Sequence, residues 1–206
     1  MTPRRLTFVL LAVALAAVLV KSQQALAYAT GTYGSADYGM CDYGAACSIS
    51  LSSNGNVTIN ATPGSGGKCT IQSDTATVLT DDSNGYTLTL ADNTTNTSLT
   101  NGGNSIPATS GTLAAPSTLG ANFWGYRVDG LGSFGSGPTT AQSNISPSSA
   151  LFAGVVPSTS SPDVLANTTS IADPAVTTTI WYGVCANQSQ PSGPYSTQVT
   201  YTALAN

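Results

Sequence analysis

The 206-residue chain has no histidine and no glutamate. Its acids are nine aspartates, and its bases are only Arg4, Arg5, Lys21, Lys68 and Arg127. Without histidine, Ser-His-Asp and Cys-His nucleophilic catalysis are excluded. A two-carboxylate hydrolase would have to be built from aspartates. The adjacent pair, Asp81-Asp82, lies in an Asp-Asp-Ser-Asn-Gly stretch that reads as a solvated turn. The aspartic-protease pattern D-[ST]-G is missing, since Asp74-Thr75 is followed by Ala76. No EF-hand spacing surrounds Asp81–Asn84, so a calcium loop is not expected there. Lys68 sits among Gly66, Gly67 and Cys69, an unsuitable place for the buried, low-pKa lysine that isopeptide chemistry needs. The residues therefore point to a non-enzymatic protein without cofactor or metal.

The first 27 residues read as a secretory leader. Arg4 and Arg5 supply a positive start, Leu6–Val20 is an uncharged apolar run, and Ala25-Leu26-Ala27 is a small-residue cleavage site. The run is short for a membrane span of about 20 residues. Beyond the leader, Lys68 and Arg127 stand against nine aspartates, a net charge of −7. That balance lacks the cationic footprint a nucleic-acid partner requires. It also gives no attraction to anionic membrane surfaces. A secreted or surface location is expected, with no membrane span once the leader is removed.

Four cysteines, Cys41, Cys47, Cys69 and Cys185, suit an oxidising compartment and allow three pairings. The favoured one is Cys41–Cys47 with Cys69–Cys185, a small loop plus a long closure. The C-x₅-C spacing and the absence of histidine speak against zinc.

What is abundant is Thr, Ser, Gly and Asn, with Val, Ile and Tyr in short runs, an all-β composition. Tyr28, Tyr33, Tyr38 and Tyr43 recur every fifth residue, so residues 28–46 read as a Tyr/Gly arm ahead of a β domain over 47–206. Alternation predicts strands at Cys47–Leu51, Val57–Ala61, Cys69–Thr80 and Tyr86–Ala91, separated by turns. Asn54-Gly55 suits a tight hairpin. Residues 92–120 read as a polar excursion with one short strand pair. Ala121–Asp129 and Ala150–Val156 read as further strands. The closing runs, Val176–Asn187 and Tyr195–Leu204, are two strands around a Pro/Gly/Ser turn. The first is apolar on both sides and so central. The second places Tyr195, Thr197, Val199, Tyr201 and Ala203 on one buried face.

Two further sets could bind ligands. Trp124, Tyr126 and Trp181, with Arg127 nearby, are the candidates for a glycan-stacking platform, although large rings in β domains more commonly fill cores. Arg127 is expected to pair with Asp129 or another aspartate, as a surface salt bridge, or to stack on Trp124. Seven N-x-[ST] sequons occur, at Asn56, Asn60, Asn93, Asn96, Asn144, Asn167 and Asn187.

The ending W-Y-G-V-C-A-N-x-S-x-P-S-G-P-Y-S-T-Q-V-T-Y-T-A resembles the last strands of small exported bacterial surface proteins. It is similar to the P-x-G-x-Y-x-x-x-V-x-[VY]-T close of fimbrial-subunit-like, spore-coat-U-like and WxL-type proteins. The stretch T-D-D-S-N-G-Y-T-L-T-L resembles a strand-turn-strand step in proteins of that kind. Together these stretches cover about a quarter of the chain. The resemblance implies an extracellular structural or adhesive role and an Ig-like β-sandwich, here of about 7–10 antiparallel strands with long polar loops. The tandem W-x-L motif is absent and no N-terminal donor strand is apparent, so neither peptidoglycan attachment nor chaperone-assisted pilus assembly is implied. Glycans, or another surface protein meeting an edge strand, are the expected partners.

Overall fold

The computed structural model describes residues 16–28, as backbone, together with 47–147 and 149–206. Every regular element among them is a strand. In chain order they are β1 (Ala16–Tyr28), β2 (Ile49–Ser53), β3 (Asn56–Ala61), β4 (Lys68–Thr80), β5 (Tyr86–Asp92), β6 (Leu99–Asn101) and β7 (Asn104–Ile106). There follow β8 (Ser117–Thr118), β9 (Trp124–Arg127), β10 (Gln142–Ile145), β11 (Leu151–Phe152), β12 (Asp163–Asn167), β13 (Ala172–Ala186) and β14 (Tyr195–Ala205). Fourteen strands exceed the expected 7–10 because the excursion and its neighbours add ladders of two to four residues.

Two sheets face each other. The first runs β12-β5-β14-β1-β3, with the β6–β7 pair attached to β14; the second runs β10-β4-β13-β9, with β2 on β4. A two-stranded β8–β11 ladder stands apart. Successive strands step between layers: β2 and β4 lie in the second sheet, β3 and β5 in the first. The last turn makes the same step, from β13 to β14. The expected Asn54-Gly55 hairpin is therefore corrected. The turn is tight, with Gly55 at a φ of 92°, but it carries the chain across the sandwich and the flanking strands do not pair. Each strand buries one alternating face, and crossing the gap buries both faces against a single core.

That core contains Val57, Ile59, Ala76, Val78, Leu88, Leu90, Ile180, Tyr182, Val184, Tyr195, Val199, Tyr201 and Ala203. On the face expected to be buried in the last strand, Tyr195, Val199, Tyr201 and Ala203 are buried and Thr197 is half-buried. β13 is central as expected, with β4 on one side and β9 on the other. Its outward face carries a second cluster, Cys69, Ile71, Leu119, Phe152, Trp181 and Cys185. Cys69 and Cys185 are directly opposed across β4 and β13 and form a disulfide, 116 residues apart in sequence. The expected Cys41–Cys47 pair involves Cys41, which lies outside the described residues, as does the Tyr/Gly arm from residue 29 to 46.

Loops lie close on this outward face because two glycines oppose each other there, Gly125 and Gly183. A Cβ on Gly125 would stand 2.6 Å from the Ala153 carbonyl oxygen, and one on Gly183 would stand 2.7 Å from the Phe152 ring.

Candidate functional site

The residues singled out for a glycan platform are brought together, but mostly inside the protein. Trp124 and Tyr126 are fully buried. The Trp124 indole donates to the Thr97 carbonyl at 2.9 Å and stacks on Tyr182 with ring centres 6.5 Å apart. The Tyr126 hydroxyl donates to Asp163 at 2.7 Å. Burial, then this carboxylate, push the Tyr126 hydroxyl far above the ordinary phenol range, and burial also raises Asp163.

Arg127 does pair with Asp129, at 2.8 Å, but not at the surface: the arginine is 1% exposed. The guanidinium also donates to the carbonyls of Leu151 and Gly135, and it lies between the rings of Phe134 and Phe152 at about 6 Å from each centre. Its three nitrogens and flat faces pin the loops over the second sheet. Trp181 is 6% exposed and borders an open cavity of about 610 Å³, whose lining includes Asp129, Leu131, Leu165 and Thr177–Thr179.

The aspartates are spread out. Asp81 accepts from the Ser48 backbone and hydroxyl at 2.7 and 2.9 Å. Asp82, expected in solvent, is 3% exposed and closes its own turn by accepting from Asn84 at 2.8 Å. Asp92 is buried and accepts from Thr94 and Thr197. No group of three metal-ligating side chains occurs among the described residues.

The distinctive site is a position in the first sheet. β1, drawn from the stretch that reads as a leader, runs between β14 and β3, parallel to β14 and antiparallel to β3. The strand β3 has no other partner in its sheet, so β1 alone joins it to β14. Position 18 is level with Tyr195 on one side and Ile59 on the other, and position 20 with Thr197 and Val57. Positions 19 and 21 are level with the exposed Thr58 and Asn56. Val18 and Val20 thus lie level with the buried Tyr195, Ile59 and Val57 and the half-buried Thr197, whereas Leu19 and Lys21 lie level with the exposed Thr58 and Asn56. The position is a slot with two strand edges for walls. Removing β1 would uncover backbone donors and acceptors on both β14 and β3.

Each wall is also fixed from outside the first sheet. Thr62, just past β3, donates its backbone N–H to the Asn144 side chain at 2.6 Å, and Thr70 on β4 bonds both Asn60 and Asn144. At the other end of β3 the Asn54 backbone donates to Asp74 at 3.1 Å. Asp74 is 1% exposed and also accepts from the Thr75 backbone at 2.8 Å. Its second oxygen, Oδ2, is buried without a hydrogen bond; among the described residues only the Tyr86 hydroxyl shares that condition. The Tyr201 hydroxyl of β14 is the side-chain donor nearest Asp74, and it is bonded to the Tyr182 hydroxyl at 2.7 Å; with Tyr182 donating to Tyr201, Tyr201 is free to donate to the Asp74 carboxylate. Burial raises the Asp74 carboxyl above its ordinary value and pushes both phenols well up.

Neither slot nor carboxylate was singled out from sequence. An uninterrupted apolar run carries a targeting pattern without a strand period. The available signal was Asp74 itself, a charge on the same alternating face as Ala76 and Val78. No helix among the described residues is long and apolar enough to cross a membrane. No protein-family model, no curated protein and no solved structure matches this chain.

Proposed function

We propose that the protein is an exported, non-enzymatic structural or adhesive surface protein that completes its sandwich with a strand from another chain. The observation that carries this reading is the placement of β1: residues carrying a leader's features span the middle of a sheet, and β3 joins that sheet through them alone. Cleavage after Ala27 takes away all but the last residue of that strand. The chain then has an apolar slot with two unpaired edges, which an extended segment can enter by strand addition, backbone hydrogen bonds giving affinity and alternate side chains giving specificity. The same reading takes the sandwich as Ig-like, supported by two sheets over one core with the chain stepping between them.

The test compares the full chain with one beginning at Tyr28, with and without a synthetic peptide of residues 16–28. The shortened chain is expected to lose amide-exchange protection in Val57–Ala61 and to associate. Excess peptide is expected to restore both protection and the monomer. A shortened chain that stays monomeric, protects β3 and ignores the peptide would overturn the proposal.

Glycan binding is the second reading. It is favoured by one observation, the cavity of about 610 Å³ beside Trp181, with the Asp129 carboxylate and three threonines on its lining. A glycan array on which the folded chain retains nothing removes this reading and leaves the first untouched.

A further inference from the structure

The two neighbours of β13 cover it to different lengths. β4 pairs with it without a break from Val176 to Ala186, whereas β9 covers the other edge only from Trp181 to Val184. Continued, the β9 register would set position 128 level with Ile180 and position 131 level with Thr177. The chain turns away instead. The Leu131 N–H bonds to the Val128 carbonyl at 3.2 Å and the Gly130 N–H to the Gly135 carbonyl at 2.9 Å, with Gly130 at a φ of 78°. Among the described residues, the 176–180 stretch of β13 therefore has a strand on one side alone.

The direction of its backbone groups follows from the strand period. The Cys185 N–H bonds to the Phe123 carbonyl at 3.0 Å and the Asn122 N–H to the Cys185 carbonyl at 2.9 Å. Odd-numbered residues of β13 thus aim both groups toward the β9 side. The register to β4 is unbroken over the same span, so Thr177 and Thr179 aim theirs into the gap that β9 leaves. Bare N–H and carbonyl groups along an edge are a template for a further strand.

This gap is the open cavity of about 610 Å³. Thr177, Thr179 and Trp181, which share the outward face of β13, stand on one side of it. Its floor holds Val128, Leu131 and Leu165, members of the core between the sheets or packed on it. The volume falls within the range of about 300–1,000 Å³ usual for ligand pockets. A sugar could use the hydroxyls, but only an extended backbone repeats at the spacing of the edge groups. Asp129 lines the end where β9 departs. In its pair with Arg127 the arginine is 1% exposed and the aspartate 25%, so the accessible member is the acid. Beyond residue 27 the chain sets nine aspartates against two basic residues, which favours a cationic partner.

We propose that the free edge of β13 at Thr177–Thr179 is a second docking site, for an extended peptide added antiparallel to β13 as a continuation of β9. Its residues level with Thr177 and Thr179 exchange backbone hydrogen bonds with them and point outward, where hydroxyl-bearing residues suit the neighbouring threonines. Its residue level with Thr178 is apolar and points toward the floor. Running as β9 does, the peptide brings its amino end, or a lysine there, beside Asp129. Backbone bonds supply affinity, and the apolar residue and the cation supply choice. The site uses neither β1 nor its slot, so it stands whether or not that strand is exchanged.

The probe is a hexapeptide alternating threonine and valine, titrated into the full chain and followed by amide exchange. The free-amine form is expected to bind and to slow exchange at Thr177 and Thr179 while leaving Val57–Ala61 unchanged. Methylating the threonine nitrogens, which face β13, is expected to weaken binding at least about tenfold, the worth of two lost hydrogen bonds. Methylating the valine nitrogens, which face away, is expected to cost much less. Acetylating the amine is expected to cost roughly threefold, as for an exposed ion pair. Thr179→Pro removes an edge N–H without touching the β4 ladder and is expected to abolish the protection. Should that variant not fold, the methylated peptides on the parent chain decide. Equal binding of the two methylated forms, or no binding at all, overturns the proposal. Protection gained at Val57–Ala61 alone puts the peptide in the slot and overturns it too. An oligosaccharide that protects Thr177 and Thr179 where the peptide does not overturns it in favour of a glycan. An acetylated form that binds as tightly as the free amine overturns the stated direction.

Discussion

Asp74 and Asp163 show how one carboxylate can act against the fold in one pH range and be harmless in another. Burial raises both above the ordinary value of 3.8, with hydrogen bonds from Thr75, Asn54 and Tyr201 pulling Asp74 back, and one from Tyr126 pulling Asp163 back. From that value up to the raised one, the folded chain keeps protons that the unfolded chain has released. Stability therefore falls as pH rises across this window, the reverse of a salt-bridged aspartate. The urea midpoint is expected to decline from pH 4 toward neutrality, and Asp74→Asn is expected to flatten part of that decline. An Asp74→Asn midpoint that falls as steeply as the parent's would show that Asp74 does not carry it. The alternation that marks β4 as a strand also places Asp74 on its inward face. What sequence leaves open is which neighbours meet it, because Asn54 and Tyr201 come from 20 residues before and 127 residues after. Arg127 shows the same division. Its partner Asp129 is two residues away and legible, whereas its burial depends on Phe134, Phe152 and two loop carbonyls that only the fold assembles.

At the scale of elements, strands were legible wherever one face is buried and the other wet. Val57–Ala61, Tyr86–Ala91 and Tyr195–Ala203 announce themselves by period. Pairing was not, because short turns containing Asn, Gly or Pro suit a ladder hairpin and a crossing between layers equally well. β1 was hidden for another reason: Ala16–Val20 is apolar at every position and shows no alternation, and its residues also satisfy the pattern of an export leader. The opposed Gly125 and Gly183 make the elements of the second sheet intolerant of small additions. Gly125→Ala drives a methyl group toward the Ala153 carbonyl, a backbone atom, and is expected to cost about 1–3 kcal/mol. Gly183→Ala meets the Phe152 ring, a side chain that can give way, and is expected to cost less. Urea unfolding of the two variants checks the order; a Gly183→Ala variant the weaker of the two would refute the reading.

At the scale of the whole molecule, the Cys69–Cys185 bridge ties β4 to β13 across 116 residues. It lies within one sheet, so it holds a register and leaves the two layers free of each other. Closing so long a loop is worth about 5 kcal/mol in the chain-entropy model. Cys69→Ala with Cys185→Ala is therefore expected to lower unfolding free energy by several kcal/mol. A double variant with an unchanged midpoint would assign the bridge to another purpose. This pairing was legible, since four cysteines in a β chain allow only three pairings.

The order of the first sheet has a single junction. Its middle strand, β14, pairs with β5 on one side and with β1 on the other. The β12–β5 pair and the β1–β3 pair meet through β14 alone, so a break in the backbone ladder along that one strand would part the layer into two ribbons.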